Sequence, residues 1–181
     1  MPGELRAEEY LRMPGLPTRA ELIGGRIIRP APQSMWHVGM TDLLMWELRR
    51  QAPDGLRTAR NMAVKLTSQD VPTPDVLVLT AEAHRRREPD NHFFADDIAL
   101  VVEVVSPESE ERDREAKPCL YAAAGIPRFW RAEEGEETDT VFTHELDAST
   151  RRYELCGVHR GRLKVTVPYG IEIDLNAVDR Y

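Results

Sequence analysis

Three carboxylates sit against apolar, strand-like sequence: Glu21 in Glu21-Leu22-Ile23, Asp75 directly after Pro74, and Glu103 inside Val101-Val102-Glu103-Val104-Val105. A buried carboxylate is costly unless it is paired, hydrogen-bonded or bound to a cation, and three on neighbouring strands would repel one another. A divalent cation resolves that conflict. Hard oxygen ligands suit Mg²⁺ or Mn²⁺, which take one or two carboxylates and complete an octahedron with water and substrate phosphate. Each acid alone has a plainer reading: Glu103 as half of a structural salt bridge, for instance to an arginine, Asp75 as a turn residue, Glu21 as a hairpin-edge charge facing water. Asp113 and Lys117 form an i,i+4 acid-to-base pair, which also reads as a simple solvent-facing helix pair.

The elements that must position these residues follow from pattern. Glu8 to Met13 reads as a short opening helix, stopped by Pro14-Gly15. Residues 21–23 and 26–28, joined by Gly24-Gly25, read as a hairpin. Ser34 is the expected N-cap of a helix from Met35 to Gln51, whose apolar Trp36, Met40, Leu43, Leu44 and Leu48 share one face. Thr58 to Leu66 and Asp75 to Leu79 are predicted strands. Ile98 to Val105, apolar except for Glu103, suits a central strand buried on both faces. Glu108 to Ala124 is predicted helical, with Gly125 as its stop. Strands over 128–131, 140–145, 152–156 and 163–167 then make a β-rich second half. The fold class is α/β (α+β): a mixed central sheet flanked by helices, with an additional C-terminal antiparallel meander.

Length and charge narrow the classes. The 181 residues suit one domain, 1–181, and 41% hydrophobic with 30% charged residues is ordinary globular usage. No run of about 18 apolar residues and no signal-like N-terminus are seen, so the expected setting is cytoplasmic, with no membrane partner. Cys119 and Cys156 match no zinc spacing and read as reduced, buried thiols. The net charge of −7 works against non-specific nucleic-acid binding. Five of the acids (Glu133, Glu134, Glu136, Glu137, Asp139) fall in one predicted loop, and without them the balance is −2. Ser106 lacks a G-x-S-x-G setting, which leaves a serine-type small-molecule hydrolase without support.

Taken in order, Glu8-Glu9-Tyr10-Leu11, Glu21-Leu22-Ile23, Pro74-Asp75-Val76-Leu77-Val78, Val102-Glu103-Val104-Val105-Ser106-Pro107, Asp113 to Lys117, Tyr121 to Pro127 and Phe129-Trp130 resemble the Uma family, which is grouped with restriction endonucleases in the PD-(D/E)XK nuclease superfamily. The resemblance covers nearly the whole chain and implies a restriction-endonuclease-like fold and a metal-dependent endonuclease hydrolysing DNA. Asp75 and Glu103 would ligate Mg²⁺ or Mn²⁺, Glu21 would assist, and Lys117 would orient or activate the attacking water. The superfamily's lysine two residues after the last acid is replaced here by Val105. A lysine on the following helix takes that place in the Uma family, and Lys117 is the matching residue. His37, at the start of the long helix, matches a family histidine that could touch phosphate or hold a carboxylate; a structural histidine is the alternative. Arg85, Arg86 and Arg87 are candidates for phosphate contact, or else a solvated charge run, and Lys65 is a weaker candidate for the same job. By the same resemblance a homodimer is expected, with the segments around Trp36, Trp46 and Trp130 as interface candidates. The competing class is a nuclease-fold protein without turnover, acting as a binding or assembly module; the acidic balance and Val105 argue for it.

Overall fold

The computed structural model describes residues 4–181. Three short elements open it: α1 (Ala7–Tyr10) and the hairpin of β1 (Glu21–Ile23) and β2 (Arg26–Ile28), which turns through Gly24 and Gly25, both at positive φ. Two adjacent residues in this left-handed region explain why the turn is Gly-Gly. Leu22 bridges to Val71, and with Ala7 and Tyr10 they form a small apolar cluster that fixes the hairpin against the body.

Helix α2 (Met35–Gln51) begins where the sequence predicts, with the Ser34 hydroxyl accepting from the His37 backbone N–H at 3.1 Å. Met40, Leu43, Leu44 and Leu48 are buried, while Trp46 on the outer side is exposed. The predicted strand over 58–66 is two strands, β3 (Leu56–Arg60) and β4 (Ala63–Lys65). They part at Asn61, which sits at φ 53, a conformation that asparagine tolerates better than most residues and that ends a ladder. The chain continues through β5 (Val76–Thr80), α3 (Ala81–Arg85), β6 (His92–Phe94) and β7 (Ile98–Val104). After a helical segment come α4 (Lys117–Ala123), β8 (Arg128–Glu133), β9 (Thr140–Asp147), β10 (Arg152–Arg160), β11 (Arg162–Val165) and β12 (Ile171–Asp174).

Six strands form one mixed sheet in the order β10-β9-β8-β7-β5-β3. All its pairings are antiparallel except β7 with β8, the two that the helical segment connects. The additional antiparallel strands are β11 and β12, paired with each other, and β4 pairs in parallel with β6. Alternation splits the core by face. Val76, Val78, Leu100, Val102, Val104 and Trp130 point to the side covered by α2 and β11–β12; Leu77, Leu79, Val101 and Phe129 point to the side covered by α3 and α4. Glu103 has the parity of Val101 and so lies on the α4 side.

The predicted helix over 108–124 is helical from 110 to 123 but not uniformly α: Arg112–Ala116 form a π-helical turn, in which the Lys117 N–H donates to the Arg112 carbonyl. Pro118 supplies the reason. It has no N–H to give, and its ring crowds the carbonyl four residues earlier, so the turn before it widens by one residue. A second correction concerns the thiols: Cys119 and Cys156 are free but exposed, on the outer side of α4 and on the edge strand β10.

Arg86 closes the α3 end of the fold. Its guanidinium donates to both Asp97 carboxylate oxygens, at 3.1 and 2.6 Å, and lies over the Phe94 ring. Burial works to raise the Asp97 carboxyl, but Arg86 and the Phe94 N–H outweigh it and hold the group below its ordinary value. A depressed carboxyl contributes stability above its unfolded value and loses it as pH falls through the folded value. Arg86→Ala should therefore lower Tm at neutral pH by about 2–4 °C, for about 1 kcal/mol lost. The gap to wild type should shrink as pH drops below the ordinary aspartate range; a gap constant with pH in thermal melts would show the ion pair to be irrelevant.

Candidate active site

Antiparallel register brings the central acids together. Val76 pairs with Val102 and Leu77 with Val101, so one further step sets Asp75 opposite Glu103 on the same face of the sheet. Glu21 arrives from the hairpin, held by the Thr73 N–H at 2.9 Å, and Asp113 from the π-turn. Lys117, first residue of α4, points its amine into this group: Nζ lies 2.9 Å from Glu21 Oε1, 3.2 Å from Glu103 Oε1 and 3.0 Å from Asp113 Oδ1. All five side chains are buried (Glu21 6%, Asp75 2%, Glu103 1%, Asp113 2%, Lys117 5% exposed). This excludes the plainer readings of Glu21 as an edge charge and of Asp113 with Lys117 as a solvent-facing pair. The arginine opposite Glu103 on β8, Arg131, turns instead to Glu133 and the Phe142 ring, and the salt bridge that Glu103 does make is to Lys117.

Asp75 meets three donors and keeps acceptor capacity on Oδ1. Arg19 Nη2 reaches Oδ1 at 3.2 Å, the Val104 N–H donates to Oδ2 at 2.8 Å, and His37 Nε2 lies 3.5 Å from Oδ2. His37 is itself buried in the first turn of α2, with the Gln33 amide 2.7 Å from its Nδ1. Burial pushes the Asp75 carboxyl up, but His37, Lys117 and the Val104 N–H prevail and leave it below the ordinary aspartate value. Glu103 goes the other way: burial, reinforced by Asp113, Asp75 and Glu21, outweighs Lys117 and holds its carboxyl well above the usual range. Burial would strip the proton from Lys117, but the surrounding acids outweigh it and keep the amine charged to well above the ordinary lysine value. The Tyr121 hydroxyl, raised by burial and by Glu103, stays protonated and donates to Glu103 Oε1 at 2.5 Å.

Four buried carboxylates thus face one lysine, one partly exposed arginine and one histidine, and the surplus is negative. The donor set fits a hard divalent cation. Both recorded contacts of Glu103 fall on Oε1, which leaves Oε2 for a ligand, and Asp75 stands beside it, ionised. Among the described residues no three His, Cys, Asp or Glu side chains close into a complete cage. Two carboxylates supplemented by water and substrate oxygen are the usual arrangement for Mg²⁺. The cleft they line holds about 40 Å³, opens past Ser106, Ser109 and Arg112, and includes Arg19, Glu21, His37, Asp75, Glu103 and Lys117.

The structure therefore gathers Glu21, His37, Asp75, Glu103 and Lys117. It does not bring in Arg85, Arg86 or Arg87, which follow the far end of β5, roughly 16 Å of strand from Asp75. Lys65 is ion-paired with Glu8. Arg19, Thr73 and Tyr121 were not singled out from sequence as site residues. Tyr121 carried a usable signal, being four residues after Lys117 and so on the same helical face. Arg19 carried none, since it sits in an irregular loop at φ 68.

No protein of curated function matches the chain. Among solved structures, a protein from Anabaena variabilis ATCC 29413, described as a putative nuclease belonging to DUF820, superposes with a TM-score of 0.68 at 19% identity, over 91% of this chain and 89% of that one. At that identity the likeness establishes a shared fold. No helix among the described residues is long and apolar enough to cross a membrane. The sequence pattern of the Uma2 family, described as "Putative restriction endonuclease", matches residues 7–177, and the chain belongs to that family.

Proposed function

We propose that this protein is a metal-dependent endonuclease that hydrolyses DNA phosphodiester bonds, with residues 1–181 acting as one unit. The observation that carries the reading is the placement of the Lys117 amine within 3.2 Å of Glu103, itself the cross-strand neighbour of Asp75. Asp75 and Glu103 would hold Mg²⁺ or Mn²⁺. Such an ion would stabilise charge on the pentacoordinate phosphorus of the transition state and lower the pKa of an attacking water.

The chain's own residues do the rest. Arg19 and the Val104 N–H fix the Asp75 carboxylate, and His37, with Lys117 and that N–H, keeps it ionised. Tyr121 holds one Glu103 oxygen, which leaves the other turned to the ligand. Lys117, held charged by the acids around it, has its three N–H groups on Glu21, Glu103 and Asp113, and orients a water or a phosphate oxygen by turning one of them from Glu103 to the ligand. The small cavity admits a phosphate and its waters rather than a base, which suits attack on a backbone. Arg112 and Ser109, which also line the cleft, would meet the flanking phosphates.

The test is cleavage of supercoiled plasmid with Mg²⁺ or Mn²⁺. Asp75→Asn and Glu103→Gln should each lose at least about 100-fold in rate, and chelation should abolish cleavage in wild type. Equal cleavage by wild type and Glu103→Gln, or none by either with DNA still bound, would leave the binding-module alternative standing.

Stability should move oppositely in two variants. Glu103→Gln removes a charge that its surroundings disfavour, so without metal Tm should hold or rise. Lys117→Met leaves the acids without their amine and should cost about 3–5 kcal/mol. Mg²⁺ should raise the Tm of wild type but not of Asp75→Asn, as expected for a ligand bound only by the folded state.

A further inference from the structure

Arg19 stands in the acidic cleft with most of its hydrogen-bonding capacity unspent. Its recorded bond runs from Nη2 to Asp75 Oδ1 at 3.2 Å; among the described residues Nη1 has no acceptor, and Nε is buried without one. Arg86 shows what a guanidinium does when it serves a carboxylate alone, closing a fork on both oxygens of Asp97 at 3.1 and 2.6 Å. Arg19 touches Asp75 with a single nitrogen, keeps its side chain 22% exposed, and lines the same cleft as Glu103 and Lys117. Nor does Asp75 need it to stay ionised, because burial of that carboxyl is outweighed by His37, Lys117 and the Val104 N–H.

The backbone that carries Arg19 is locked. Arg19 adopts φ 68, a conformation unfavourable for a residue with a Cβ. Its neighbour holds it there: the Ala20 carbonyl accepts from the Tyr10 hydroxyl at 2.6 Å and the Thr73 hydroxyl at 3.0 Å, and the Ala20 N–H donates to the Pro17 carbonyl at 3.0 Å. Strain of this kind persists where surrounding bonds over-determine it, and it gathers at ligand clamps. The other cation that reaches the central acids has no such reserve. Lys117 has its N–H groups on Glu21, Glu103 and Asp113 and must release an acid to meet a ligand, whereas Arg19 need release nothing.

Building on the phosphodiesterase reading above, we propose that Arg19 is the residue that takes the phosphate oxygen beside Asp75, with Nη1 donating to a non-bridging oxygen while Nη2 stays on the carboxylate. Bound to both at once, the guanidinium sets the phosphate against the Asp75 side of the cleft and meets the charge that builds on its oxygens during attack. That assignment leaves the water to Lys117.

Binding separates this role from cleavage. A short fluorescein-labelled duplex is titrated with the full chain, with Ca²⁺ in place of Mg²⁺, at several salt concentrations, and its anisotropy followed. Arg19→Gln removes the charge but keeps an amide for Asp75; it should raise Kd about tenfold and lower the slope of log Kd against log salt by about one, as one phosphate contact is lost. Arg19→Lys keeps the charge and should restore the slope. Arg85→Gln, at the exposed end of α3, removes the same charge away from the cleft and should change neither. Mg²⁺ should still raise the Tm of Arg19→Gln, whose Asp75 and Glu103 are intact. A measurement on wild type needs no variant to fold: the duplex should slow modification of Arg19 by phenylglyoxal about tenfold, read by peptide mass spectrometry, and leave Arg85 unchanged. The proposal is overturned if Arg19→Gln keeps the wild-type Kd and slope, if Arg85→Gln lowers the slope equally, if the duplex leaves Arg19 unprotected, or if Mg²⁺ no longer stabilises Arg19→Gln, which would make Arg19 a prop for Asp75 alone. Wild type that binds with an Arg19-dependent slope yet cuts no plasmid supports the contact and removes catalysis; cleavage with an Arg19-independent slope does the reverse, and no binding by wild type overturns both.

Discussion

One buried ammonium holds the site together. Lys117 touches acids from three separate parts of the chain: the N-terminal hairpin, the central strand and the π-turn beside it. In a medium of low polarity, four carboxylates this close would drive one another apart or take up protons. The amine lets three of them share a single countercharge, and Arg19 with His37 does the same for the fourth. What remains is a negative surplus centred on Glu103, which is where a divalent ion would be most strongly drawn. The hairpin, otherwise a peripheral element, is required because it brings Glu21 and because Thr73 and Val71 lock it down.

Much of this was legible in the sequence. An acid inside an otherwise β-branched run demands a partner, and Glu103 has several. Strand alternation put Glu103 and Val105 on one face, but Lys117 as the replacement for a lysine at 105 came from the resemblance to the Uma family and not from spacing. The elements α2, β5, β7 and the hairpin fell where periodicity and turn chemistry placed them. The arginine run 85–87 misled because its nearness in sequence to Asp75 is undone by β5, which carries the chain to the opposite end of the sheet. Arg19 was invisible for a different reason: a loop residue at positive φ follows no period, and its role depends entirely on where the tertiary fold delivers it. The exposure of Cys119 likewise depends on which side of α4 faces the sheet, which composition does not encode.

The charge distribution also reads differently in three dimensions. A chain with net −7 concentrates part of its negative charge in a buried cluster rather than on the surface that a polyanion would meet. Its positive charge is gathered in places: Arg19 and Arg112 at the mouth of the acidic cleft, and four arginines across α4. Local fields over a few ångströms, not the sum, decide what approaches such a surface.

The widened turn before Pro118 gives the site slack in chain length. A π-turn is an α-helix that holds one extra residue, so losing one of 114–116 would let the stretch close to a regular α-helix and bring Asp113 from four positions before Lys117 to three, spacings that both share a helical face. The helix can therefore shorten by one residue here without the acid and the amine parting company.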